Sequence, residues 1–156
     1  PYLSWFEDQD VTKFSKNGKF VETFKSFKEY IVGLNSNEYI VWAICHELDG
    51  HIGNIALQRI SMVDKNADFN IIIGNKNHWN KGLGFEAAKK IFYHGFKKLN
   101  LHKIYTGTVL SNVGMKNIAK KLGMKEEGKW RSHLYLDGKY EDVIVFGILH
   151  NEFNCK

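Results

Sequence analysis

Ile71-Ile72-Ile73-Gly74-Asn75-Lys76-Asn77-His78-Trp79-Asn80-Lys81-Gly82-Leu83-Gly84-Phe85-Glu86-Ala87 is the stretch that decides the plan of this chain. A β-branched run of strand length enters a short polar loop, and the loop enters a helix through Gly-x-Gly. Glycines there let the backbone approach a ligand closely, and the free N–H groups of a first helical turn form a ready anion site. Lys81 adds a positive charge beside it. The plainer alternative is that Gly82 and Gly84 only permit a tight turn and close packing. A dinucleotide-binding unit does not fit, because it wants the glycine turn directly after the strand and an acid at the end of the next one. Here a longer loop intervenes and residues 102–109 carry no acid. A P-loop fails as well, for want of Gly-Lys-Ser/Thr.

Working outward, the period of the apolar residues changes along the chain. Residues 2–14 and 21–34 read as two amphipathic helices, with Phe24, Phe27, Tyr30, Ile31 and Leu34 at helical spacing. Residues 38–47, 51–63 and 67–74 read as strands joined by turns at Leu48-Asp49-Gly50 and 64–66, an antiparallel meander. Downstream, 83–99 predicts a strong helix: Ala87, Ala88, Ile91, Phe92, Gly95, Phe96 and Leu99 line one face and Lys89, Lys90, Lys97 and Lys98 the other. A strand over 103–109, a helix over 113–122 stopped by Gly123, and a hairpin of 124–136 with 139–149 complete it. This is an α+β plan around one mixed sheet.

Composition bounds the function. A chain of 156 residues, 44% hydrophobic and 25% charged, suits one domain over 1–156 and excludes a disordered chain. No apolar run approaches the roughly 20 residues of a membrane-spanning helix, and no basic-then-apolar signal segment opens the chain. Cys45 and Cys155 are too few and too unpatterned for a disulfide framework or metal site, which fits a reducing cytoplasm. His94 and His102 have no second ligand at metal spacing, and no metal is expected. The formal charge of +5 favours a polyanionic ligand, but the lysines are spread along the chain, which sets nucleic acid aside.

Five pieces stand in order along the chain. They are Tyr2-Leu3-Ser4-Trp5 through Val11, His51-Ile52-Gly53-Asn54-Ile55, Trp79 through Ala87, Asn112 ahead of Gly123-Met124, and Glu127-Gly128 with Gly138-Lys139-Tyr140-Glu141-Asp142. In that order they resemble the first helix, third-strand signature, pyrophosphate loop, cofactor asparagine and closing hairpin of the GCN5-related N-acetyltransferase (GNAT) superfamily, RimJ/RimL-like group. Leu99-Asn100-Leu101-His102-Lys103-Ile104-Tyr105 is also similar to bacterial spermidine acetyltransferases. The family opens with a strand before its first helix; residues 1–156 start inside that helix, so that strand is expected to be missing.

The resemblance implies a mostly antiparallel sheet flanked by helices, with two strands splayed to form an acetyl-CoA cleft. It implies acetyl transfer to a primary amine by direct attack in a ternary complex, with acetyl-CoA as co-substrate. The cofactor residues it implies are Ile71, Ile72, Ile73, Trp79, Asn80, Lys81, Gly82, Leu83, Gly84, Phe85, Asn112 and Asn117, with the backbone of Ile72 polarising the thioester carbonyl. Asp68, where relatives often carry a glutamate, is the candidate general base through a water; a solvated strand-end acid is the plainer reading. Alternation puts Asp68, Asn70 and Ile72 on one face, and Asn70, His133 and Tyr135 are expected in the acceptor cleft. The family's tyrosine and serine proton donors are replaced by Ala119 and Met115. That loss is tolerable: an amine of pKa about 10 costs roughly 3–4 kcal/mol to deprotonate near neutral pH, whereas a thiol of pKa about 8.5 costs only about 1–1.5 kcal/mol to leave unprotonated.

The expected partners are acetyl-CoA and an amine: a protein N-terminus, a small-molecule or amino-sugar amine, or a polyamine. A polyamine would need acids; the two predicted helices offer Glu7, Asp8, Asp10, Glu22 and Glu29, but also five lysines from Lys13 to Lys28. Neither nucleic acid nor membrane is expected as a partner, and a homodimer is an open expectation. A module that binds the cofactor without turnover is the alternative that the missing donors leave open.

Overall fold

Strict alternation along the strands sorts the sheet into two faces before any helix is considered. A computed structural model describes residues 2–14, 24–33 and 37–154. These form α1 (Tyr2–Glu7), α2 (Gln9–Thr12), α3 (Phe24–Gly33), β1 (Ile40–His46), β2 (Gly50–Ser61), β3 (Asn66–Ile73), α4 (Leu83–Tyr93), β4 (Lys103–Val109), α5 (Val113–Lys121), β5 (Lys125–Leu136) and β6 (Lys139–Leu149). The strands lie in the order β1-β2-β3-β4-β6-β5, antiparallel at every pair except β3–β4, which is parallel. The mixed, mostly antiparallel sheet flanked by helices is therefore present.

Ile55, Leu57, Ala67, Phe69, Ile104, Phe146 and Ile148 point to one face and are buried together with Ala88, Ile91 and Phe92 of α4. Each of the leucine, isoleucine and phenylalanine side chains contributes about 1.5–3 kcal/mol on leaving water. Phe69 and Phe92 meet edge to face, with centroids 4.9 Å apart. The opposite face carries a smaller cluster of Val109, Leu136 and Val143, packed by Phe14 and Leu134.

Two predicted helices are subdivided. The first breaks at Asp8, whose carboxylate accepts from the Asp10 N–H and caps α2. The helix predicted over 83–99 is α-helical to Tyr93 and then widens into a π turn, His94–Lys98, which delivers both Gly95 and Phe96 to the core. Leu34 and the side chains of Phe24, Phe27, Tyr30 and Ile31 lie outside the described residues.

The feature that positions the site is a short ladder. β3 and β4 pair only at Asn66↔Lys103, Ala67↔Ile104 and Asp68↔Tyr105, although β3 runs on to Ile73 and β4 to Val109. Beyond Asp68 and Tyr105 the two strands diverge, leaving a V-shaped slot between the leaf β1-β2-β3 and the leaf β4-β6-β5.

Candidate active site

The loop after β3 ends at Gly82, the N-cap of α4, whose backbone is left-handed at φ 82°. A Cβ there would meet nothing within 4 Å, so the glycine serves the turn and not the packing. Gly84 is the reverse case: a Cβ would lie 3.1 Å from Ile118 Cδ1 and 3.4 Å from Ile71 Cδ1, so it lets α4 approach α5 and β3. Gly82 thus supplies the tight turn and Gly84 the close packing, the two demands of the plainer reading. Phe85 and Glu86 donate to the Gly82 carbonyl at 3.0 and 3.1 Å. Among the described residues, the main-chain amides of Asn80, Lys81, Gly82, Leu83 and Gly84 donate to no carbonyl or side chain. Those open N–H groups at a helix start, with exposed Lys81 beside them, fit a diphosphate. Lys89 and Lys121 stand 5.5 and 5.8 Å from the Phe85 ring and add two cations that sequence reading did not assign. Their convergence depends on α4 lying beside α5, which no local pattern encodes.

Upstream, the loop is held from three sides. Lys76 Nζ binds Asp8 at 2.9 Å and Asp10 at 3.0 Å, holding the lysine pKa up and that of Asp8 down. His78 is buried and its Nε2 sits 2.6 Å from Asp49 Oδ2 in the β1–β2 turn. The His46 ring lies 4.4 Å from that of His78. Two ligands of one tetrahedral ion with bonds of about 2.0–2.1 Å stand roughly 3.3 Å apart, so the His78–Asp49 contact has the length of a hydrogen bond. Trp79 donates from its main-chain N–H to Lys76 and from its indole Nε1 to the Ile73 carbonyl, the latter at 2.8 Å.

Backbone parity decides which groups of β3 look into the slot. Gly74 donates to Ile52 of β2 at 2.9 Å, and Lys103 of β4 donates to Lys65 at 3.1 Å. Alternation therefore turns the even residues from Asp68 to Gly74 toward β2 and the odd ones, Phe69, Ile71 and Ile73, toward β4. This corrects the expectation for Ile72: its N–H is directed into the β2 ladder, and the slot is edged by the main chain of Ile71 and Ile73.

Asp68, Asn70 and Ile72 share the face opposite α4, as alternation requires, with Tyr105, Gly107 and Val109 of β4. Asp68 is only 6% exposed and so is not a solvated acid; it pairs with Arg59, whose backbone is left-handed at φ 49°. Burial pushes the Asp68 carboxyl up, outweighing the lowering by Arg59 and Asn70. Asn70 is exposed and its amide reaches Gln58 Oε1 at 3.4 Å. Trp130, paired with Val143, belongs to this face, where its ring edge would come within 3.9 Å of a Cβ on Gly107.

Tyr135 does not belong to this face. It pairs with Tyr140, while its neighbours Leu134 and Leu136 turn toward Val109 and Val143; strand alternation therefore puts Tyr135 on the other side, against the Tyr140 ring. His133 lies within the register shift between Trp130 and Leu134, its ring 4.8 Å from that of Trp130. Asn112 is the N-cap of α5 and its Oδ1 accepts from the Met115 N–H at 3.1 Å; Asn117 is exposed on the same helix. Ala119 is 0% exposed within the core and Met115 packs against it, so neither position offers a proton. His51 is hydrogen-bonded to Asn54 at 2.8 Å and edge-on to Trp5, as a structural histidine would be.

A family model described as an acetyltransferase (GNAT) domain matches residues 1–125. An uncharacterized N-acetyltransferase, YnaD of Bacillus subtilis, is 30% identical over 151 residues, spanning 94% of this chain and 85% of its own length. Spermidine N(1)-acetyltransferase of Escherichia coli K12 is 30% identical over 150 residues, covering 96% and 74%. Among solved structures, spermidine N-acetyltransferase from Vibrio cholerae in complex with CoA and spermine superposes with a TM-score of 0.87 at 23% identity, over 97% of this chain and 89% of that one.

Proposed function

The chain belongs to the acetyltransferase (GNAT) domain family and is an N-acetyltransferase, and from that premise we propose that it moves the acetyl group of acetyl-CoA to a primary amine by direct attack in a ternary complex. One observation carries the reading: the β3–β4 ladder stops after three rungs, and the chain leaving β3 runs on to the open amides of 80–84. Acetyl-CoA supplies an activated acyl group as a thioester. The amides of 80–84 and Lys81 hold its diphosphate, and the main chain of Ile71 and Ile73 lines its pantetheine arm. The amine enters from the face of Asp68 and Asn70, and Asp68 receives its proton through a water. No side chain at Ala119 or Met115 protonates the departing thiolate, which leaves unaided at modest cost.

The relatives named for spermidine raise a polyamine as the acceptor. The charges described in this chain favour a monoamine instead. Asp8 and Asp10 share Lys76, and Asp68 is paired with Arg59, so two cations already engage these three acids. We read the acceptor as a protein N-terminus or a small-molecule or amino-sugar amine, and the chain as a single RimJ/RimL-like domain working in the cytoplasm. No described helix is long and apolar enough to cross a membrane; we assign no role to nucleic acid, and a homodimer is the assembly to look for by light scattering. Thiol release from acetyl-CoA against a panel of N-terminal peptides, amino-sugar nucleotides and spermidine tests the reading. Turnover is expected to be faster with a monoamine than with spermidine. Preference for spermidine would overturn the acceptor assignment, and no thiol release with any amine would overturn the whole.

A further inference from the structure

Residues 75–79 anchor the loop ahead of the open amides, and their anchors differ in where they lead. Lys76 reaches back to α1 and α2 at Asp8 and Asp10, and His78 reaches the β1–β2 turn at Asp49. Only Trp79 is tied to the slot itself, through its indole Nε1 and the Ile73 carbonyl at 2.8 Å. That carbonyl faces the slot by the parity argued above. A carbonyl oxygen has two lone pairs, so the indole leaves one for a ligand N–H. Immediately after Trp79 the chain turns through two left-handed residues, Asn80 at φ 60° and Gly82 at φ 82°. The packing of α4 holds Leu83 and Gly84 beside β3, and the indole tie fixes the start of the turn that carries the amides of Asn80, Lys81 and Gly82.

We infer that Trp79 is a positioning residue: its indole sets the span between the slot-facing main chain of β3 and the diphosphate-binding amides of 80–84, so that both halves of CoA are engaged at once. A two-part ligand gains from its second contact only where the two subsites stand at the distance its own linkage allows. The inference rests on the reading of the slot as a CoA site. It assigns Trp79 a role that neither the loop's packing nor the first-turn amides require. Trp79 is 37% exposed, so Phe replaces it without emptying a core position.

The test is Trp79→Phe, which keeps a ring and removes the N–H. Binding is measured by calorimetry for intact CoA and separately for its halves, pantetheine and adenosine 3′-phosphate 5′-diphosphate. Intact CoA should bind about five-fold more weakly, the loss of one hydrogen bond, while each half binds the variant within two-fold of wild type. The kinetic loss should fall on KM for acetyl-CoA and not on kcat. Equal weakening of the diphosphate half would mean that Trp79 merely folds the loop, and unchanged affinity for CoA would mean that it does nothing; either overturns the inference. In wild type, the Trp79 indole N–H should stay protected from hydrogen exchange at saturating CoA, and its release would also overturn it. Failure of wild type to bind CoA at all would instead strike the underlying reading.

Discussion

At Gly82 the backbone and the charge make separate demands that substitution can pull apart. Gly82→Ala meets no neighbour but must hold φ 82°, which costs about 1–2 kcal/mol. Gly82→Asp bears less of that strain, since aspartate tolerates the left-handed region better than alanine, and adds a negative charge among the open amides. The aspartate variant should bind CoA at least ten-fold more weakly than the alanine variant by calorimetry; equal affinities would remove the diphosphate from this loop. Asp68 poses the chemical question. Asp68→Asn should lower kcat by about a hundred-fold, the lower range for general-base removal, with little change in KM for acetyl-CoA. Because burial raises the Asp68 pKa, the rising limb of the wild-type pH profile should lie above the ordinary carboxylate range. The same shift has a stability sign: the folded state holds this proton more tightly, so the contribution is complete below the unfolded pKa and fades as pH rises through the folded one. Asp68→Asn should remove that dependence from denaturation midpoints measured across the window. The residues 71–73 were legible as a slot-lining strand, but choosing Ile71 and Ile73 over Ile72 needed a single hydrogen bond from Gly74 to β2, and composition says nothing of that.

Elements were read more faithfully than their ends. The strand over 103–109 and the closing strand over 139–149 have the predicted bounds because turn residues flank them. The first helix was read as continuous because Asp8 looked like one more polar position; as an N-cap it starts a new helix. Asn112 illustrates the same ambiguity between cap and ligand. Its Oδ1 is committed to the Met115 N–H, so Asn112→Ala should cost about 1 kcal/mol in chemical denaturation and leave CoA affinity within two-fold. A large loss of affinity at unchanged stability would return Asn112 to the cofactor. Gly74 ties α1 to β3: a Cβ there would lie 1.9 Å from Trp5 Cδ2, a rigid ring that is itself buried. Gly74→Ala should destabilise by about 1–3 kcal/mol, as overpacking does, read from the urea midpoint.

Across the whole molecule, the order of strand and helix was visible in the periods, and with it the mixed sheet. The divergence of β3 from β4 was not, because it depends on register, and register is set by partners far away in sequence. The tie from Lys76 to Asp8 and Asp10 was equally hidden: each charge is an unremarkable surface residue until folding brings it across 66 positions. A ligand that spans the slot binds both leaves at once and should raise the thermal midpoint accordingly. At CoA one hundred times its Kd the gain is about 2.7 kcal/mol, or roughly 5–10 °C for a chain of this size. A scan with no shift would show that CoA does not bind the folded chain.

A three-rung seam also means that the protein by itself is an incomplete fabric. Over the last residues of β3, the chain withholds the neighbour that a sheet normally supplies, and the amide-bearing arm of the co-substrate can be laid in as that missing thread. On the proposed reading, binding is a form of weaving, in which the guest extends the host's own hydrogen-bond pattern. Its demands fall on the main chain, while the side chains of Phe69 and Ile71 answer to the core and to Gly84 of α4.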